Sequence, residues 1–111
     1  MLNDGLTEQK FEQRADETLR ALDRALSELD GAEVDLESGI LTIEFEDGVK
    51  YVINSHRAAR QIWMAAERNA WHFDYRDEGA RWIASKTGDE LWTAIDGVVS
   101  RKLGRPVGLA R

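Results

Sequence analysis

Carboxylates at Glu12, Asp16, Asp23, Glu28 and Asp30, followed at alternate positions by Glu33, Asp35 and Glu37, are the residues of this chain best suited to chemistry. Carboxylate oxygen is the ligand of hard cations such as Mg²⁺, Ca²⁺ and Mn²⁺, and it also accepts Fe²⁺. The stretch over 26–48, LSELDGAEVDLESGILTIEFEDG, contains no basic residue. Residues 1–47 hold fourteen acids against four bases, a net of −10; residues 48–111 hold eleven bases against seven acids, a net of +4; together they make the −6 of the whole chain. Such asymmetry suits an acidic surface facing a cation or a basic partner, set against the plainer reading of a solubilising face. The net negative charge argues against nucleic acid and anionic membranes as partners.

Several chemistries are excluded by residue type. With no cysteine, the chain has no disulfide, thiolate metal site, Cys-ligated iron–sulfur cluster or sulfur nucleophile. The stretch DGAEVDLESGIL lacks the ligand order and central glycine of an EF-hand. Neither His56 nor His72 follows a Glu at the spacing of a di-iron bundle core, and no GxSxG elbow occurs. A metal on these carboxylates would sit on an open surface and keep much of its water, so binding should be weak and poorly selective. The start, MLNDGLTEQKF, has no apolar core of a signal peptide, and no apolar run nears the roughly 20 residues that span a bilayer. The expected location is the cytoplasm.

Trp63, Trp71, Trp82 and Trp92 form a second concentration of informative residues. Aromatics in strands are usually core, which is the expectation for three of them. Trp63 differs, because in RQIWMA it alternates with Ile62 and Met64. If those two face the interior, Trp63 points to the opposite face beside Asn54 and Gln61, the composition of an interaction hot spot.

The elements that must position these groups follow from periodicity. Phe11, Ala15, Leu19, Leu22, Leu26 and Leu29 recur at helical spacing, predicting a helix over about 8–29 with Thr7 as N-cap and Asp30-Gly31 as its stop. EVDLE and ILTIEFE alternate around Ser38-Gly39, and Asp47-Gly48 turns the chain into VKYVIN. RQIWMA and WHFDY, turned by ERN, form another pair, and RWIAS a short sixth strand, so strands cover about 33–85. TGDE reads as a capping box with Thr87 as N-cap, opening a helix over about 88–103 that carries Leu91, Ile95 and Val98 or Val99 and ends at Gly104. The expected fold is α+β: one domain over 1–111, a two-layer α-β sandwich with two terminal helices on one face of a five- to six-stranded antiparallel sheet.

In order, the acidic helix and first strand, GILTIEFEDG, INSHRAARQIW, WHFD, RWI and ELW resemble bacterial frataxin of the CyaY type over about residues 8–109. Asn54, Gln61, Ile62 and Trp63 stand in register with the family signature, while His56 and Ala58 stand where it prefers Gln and Pro. The resemblance implies two parallel terminal helices on an antiparallel sheet. It implies weak surface binding of Fe²⁺ and Fe³⁺, with other divalent cations competing, on a ridge of Glu12, Asp16, Asp23, Glu28, Asp30, Glu33, Asp35 and Glu37. It further implies docking on a cysteine desulfurase and iron–sulfur scaffold protein through a face marked by Trp63, Asn54 and Gln61, with modulation of the desulfurase. Arg24 and Ser27 occupy ridge positions often acidic in the family, and Glu12 stands at a frequent histidine position. The expectation is therefore a non-enzymatic, iron-binding regulator of iron–sulfur cluster assembly, a monomer or an iron-dependent oligomer. The alternatives are a ferroxidase or iron store, and an acidic docking adaptor that works without metal.

Overall fold

The apolar stripes and alternations become eight elements: α1 (Glu8–Leu26), β1 (Ala32–Glu37), β2 (Ile40–Phe45), β3 (Lys50–His56), β4 (Gln61–Ala66), β5 (Asn69–Arg76), β6 (Arg81–Ala84) and α2 (Leu91–Leu103). The structure, a computed structural model, describes residues 6–109, so both ends of the expected 1–111 unit lie outside the described residues. The six strands form one antiparallel sheet in chain order. Leu41, Ile43, Tyr51, Ile53, Ile62, Met64, Phe73 and Trp82 are buried on one face of it against the stripes of both helices. This is the two-layer sandwich that the periodicity predicts. No helix among the described residues is long and apolar enough to cross a membrane.

The Thr7 hydroxyl caps α1 by accepting the Lys10 N–H at 3.1 Å. The helix ends at Leu26, three residues short of the expected limit, because the Leu29 N–H bonds back to the Leu26 carbonyl at 3.1 Å and tightens the chain into a turn. Gly31 then reverses direction with φ +94°, where a β-carbon would lie 3.0 Å from Leu103 Cδ2. Glycine is needed there for both its backbone freedom and its lack of a side chain.

The start of α2 corrects the sequence reading. The helix begins at Leu91, not 88, and its cap is Glu90, whose carboxylate accepts the Trp92 and Thr93 N–H groups at 3.0 and 3.1 Å. Thr87 is not the cap. The Gly88 N–H bonds to the Ala84 carbonyl at 2.6 Å, and the Asp89 carbonyl takes the Ala84 N–H at 2.8 Å, so these residues still belong to the end of β6. The Thr87 hydroxyl is spent on Asp89, accepting its N–H and donating to its carboxylate. Gly104, at φ +73°, closes α2 as expected, its N–H reaching the Ser100 carbonyl at 2.9 Å.

The C-terminal helix is pinned to the sheet by Lys102, whose Nζ lies 2.6 Å from Asp47 Oδ2 and 5.8 Å from the centre of the Phe45 ring. The hydrogen bond from Lys102, and then the Val49 N–H, hold the Asp47 carboxyl below its ordinary value of 3.8. A depressed carboxylate stabilises the fold above its unfolded value and loses that contribution as pH falls through the folded one. Asp47→Asn should therefore lower the melting temperature slightly at pH 7, with the difference from wild type closing as both are acidified below the carboxylate range; thermal denaturation at the two pH values checks it. Nearby, burial and then the hydrogen bond to Glu67, 2.7 Å long, push the Tyr51 phenol up to about 12.

Candidate metal-binding ridge and docking face

The acidic positions divide into two groups. On α1, Glu12, Asp16 and Asp23 line a groove against β1 whose floor is Phe11, Leu19 and Leu36. Basic residues enter it as well: Arg20 holds Asp16 at 2.8 Å, Arg57 holds Glu12 at 3.0 Å and Glu8 at 3.3 Å, and Arg24 lines the same wall. The Asp23 carboxylate accepts the Ser27 hydroxyl at 3.3 Å. These pairs are exposed, where an ion pair is worth roughly 0–1 kcal/mol and a competing cation displaces it readily.

The second group lies where the chain leaves α1 and enters the sheet edge. Asp30 and Glu33 share a groove with Glu44 of β2 and with Glu46 just beyond its end. In the β1–β2 register Glu33 stands directly opposite Glu44, a like-charge cross-strand pair. Asp35 and Glu37 continue along the same face of β1, opposite Thr42 and Ile40, and Glu28 is exposed at the end of α1. Among the described residues, Glu28, Asp30, Glu33, Asp35 and Glu37 form no ion pair. Also among them, no three acidic or histidine side chains converge closely enough to hold an ion in a ready-made cage. Glu44 and Glu46 were legible as outward-facing residues but stood outside the sequence-predicted ridge; the two-residue turn at Ser38-Gly39 pairs 37 with 40 and therefore 33 with 44.

Trp63 lies half-buried on the sheet face that carries neither helix, between Asn54 of β3 and His72 of β5 in the cross-strand register. Its indole is sandwiched. The His56 ring stacks on one side at 3.8 Å between centroids and 14° between planes, and the His72 ring on the other at 4.3 Å and 15°. Gln61 fixes the indole edge, its Oε1 accepting the Trp63 Nε1–H at 2.8 Å while its Nε2 donates to Asp74 at 2.9 Å. The Asn54 amide turns back onto the Ser55 carbonyl at 3.3 Å. Trp63, Asn54 and Gln61 thus share one face, joined by His56, His72 and Asp74; of these three, sequence reasoning had singled out only His56.

This geometry has relatives. A model of the frataxin-like domain matches residues 4–105. The chain belongs to the frataxin family. The iron–sulfur cluster assembly protein CyaY of Thioalkalivibrio sulfidiphilus is 34% identical over 102 residues, covering 89% of this chain and 95% of the relative. CyaY of Pseudomonas fluorescens Pf0-1 is 32% identical, with 89% and 91% covered. Among solved structures, frataxin from Psychromonas ingrahamii superposes with a TM-score of 0.85 at 26% identity, covering 95% of this chain and 99% of that one. Trimeric frataxin from the yeast Saccharomyces cerevisiae, complexed with ferrous iron, superposes with a TM-score of 0.72 at 27% identity, with 83% and 87% covered. The frataxin sandwich therefore accounts for the order of elements, and the resemblance to the CyaY type holds over most of the chain.

Proposed function

We propose that this frataxin-family protein is an iron-binding regulator of iron–sulfur cluster assembly in the cytoplasm, presenting iron as cargo without a reaction of its own. It carries Fe²⁺ or Fe³⁺ weakly on the acidic ridge and docks on the cysteine desulfurase and its scaffold through the Trp63 face, modulating the desulfurase. The names of its CyaY relatives and the ferrous complex of the yeast protein support this reading. The observation that carries it is the run Asp30, Glu33, Asp35 and Glu37 beside Glu44 and Glu46, where like charge is concentrated and none of the first four is held in an ion pair among the described residues; the bases nearest to it are Lys50, across the sheet from Glu44, and Arg105, whose guanidinium donates to the Asp30 carbonyl at 2.8 Å. A cation held there by one or two carboxylates keeps most of its water and leaves easily, as cargo must.

The test is an anaerobic Fe²⁺ titration followed by amide NMR, with Mg²⁺ as control. Broadening should fall within residues 12–46, strongest at 30–46, survive an equal concentration of Mg²⁺ and yield only to a large excess of it. Glu33→Gln should reduce it and raise the folding stability by about 0.2–1 kcal/mol, since it removes one member of an opposed like-charge pair. Broadening that an equal concentration of Mg²⁺ abolishes, or an unchanged response in Glu33→Gln, would overturn the iron assignment. The arginine pairing of Glu12 and Asp16 favours a second reading, an acidic adaptor that steers onto a basic partner surface without metal. Docking that persists undiminished in chelator would select it.

A further inference from the structure

Both histidines of the chain flank Trp63, but His56 has a second attachment. Its Nδ1 accepts the Ala59 N–H at 3.3 Å, inside the turn that joins β3 to β4. The same turn is closed by the Arg60 N–H on the Arg57 carbonyl at 3.1 Å. Arg57 projects from it onto Glu8 and Glu12 at 3.3 and 3.0 Å. A continuous set of contacts thus runs from the indole, through His56 and the turn, to the first turns of α1.

An imidazole that accepts at Nδ1 is neutral and carries its proton on Nε2. Protonation turns Nδ1 into a donor facing another donor, the Ala59 N–H, so that bond cannot survive. The indole face meanwhile attracts the imidazolium, which keeps the ring against Trp63 and leaves the turn as the part that yields. The charged and titratable groups around the ring are few. Asp74 reaches it through Gln61, His72 lies across the indole, Glu37 shares the cross-strand row of Trp63, Arg57 is its chain neighbour, and Arg60, its Nε buried, closes the same turn.

We propose that His56 is a proton-operated latch that couples the Trp63 face to the acidic start of α1: neutral, it holds the 57–60 turn and keeps Arg57 on Glu8 and Glu12; protonated, it releases the turn and frees those carboxylates. The device goes beyond the proposed function, and only its effect on iron binding at Glu12 rests on the ridge reading. The test uses the metal-free full-length chain, following the His56 ring nitrogens, the Ala59 amide and the Arg57 Nε–H by NMR from about pH 8 to pH 5.5. The Ala59 and Arg57 signals should shift in step with His56 protonation in wild type and in His72→Gln, and stay fixed in His56→Gln. Ala59 and Arg57 signals that stay fixed while His56 protonates would overturn the latch. So would a His56 ring that takes up no proton in this range, or the same shifts in His56→Gln. No iron enters these signals, so the latch and the ridge can fail separately.

Discussion

Trp63→Ala should weaken the proposed docking on the desulfurase–scaffold complex by about 2–4 kcal/mol, roughly 30-fold or more in affinity, while the fold is kept and the melting temperature falls by only a few degrees with the lost ring stacking. The indole is half-buried on the helix-free face and contributes nothing to the core beneath β4, which Ile62 and Met64 fill. What it does contribute is a large, rigid group already held in place by two stacked imidazoles and by Gln61. A side chain ordered before binding loses little entropy on binding, which is the property of a hot-spot anchor. The loss should be nearly independent of salt. Charge reversal at Glu28 and Asp30 should instead weaken docking most at low salt, because exposed charges are screened as salt rises. Isothermal titration of both variants at two salt concentrations checks the pair. An affinity unchanged by Trp63→Ala would remove the helix-free face from the docking surface.

Legibility in the sequence followed the range of the interaction. The α1 stripe, the Thr7 cap, the Asp47-Gly48 turn and the Gly104 stop are local, and each stands in the structure where its residues predict. Thr87-Gly88-Asp89-Glu90 matches a capping box letter for letter, yet Gly88 and Asp89 bond back to Ala84, so the strand end outcompetes the cap. That contest is invisible in a four-residue pattern. The aromatic stack was hidden for a related reason. His72 faces Trp63 only because the β4–β5 turn uses two residues, pairing Ala66 with Asn69. No glycine marks that turn; Glu67 itself adopts φ +57°. With the turn read one residue longer, as ERN, the register of β5 was left open, and a one-residue slip moves every side chain to the other face. The ridge acids were visible from composition, whereas their division into arginine-paired and unpaired groups required Arg57, distant in sequence from Glu12.

The two surfaces depend on a shared scaffold, in which Trp82 is the largest of the fully buried side chains. Trp82 is 2% exposed, edge-on to Phe11 at 5.9 Å and to Tyr75 at 5.1 Å, and its Nε1–H donates to the Thr18 hydroxyl at 3.0 Å. It thereby ties the middle of α1, which carries Asp16 and Asp23, to the far strand of the sheet. Trp82→Ala should cost about 3–5 kcal/mol, since the large cavity cannot collapse between a helix and a sheet. For a chain of 111 residues that lowers the melting temperature by more than about 10 °C. Trp82→Phe separates packing from hydrogen bonding. Thr18 keeps its own bond to the Arg14 carbonyl at 2.9 Å, so no orphaned donor is created. The loss should be only about 1–2 kcal/mol. Chemical denaturation of the two variants decides the matter. Equal losses would mean that the hydrogen bond to Thr18, rather than the filled volume, holds α1 on the sheet. A Trp82→Ala loss below about 1 kcal/mol would mean that α1 is not anchored there at all.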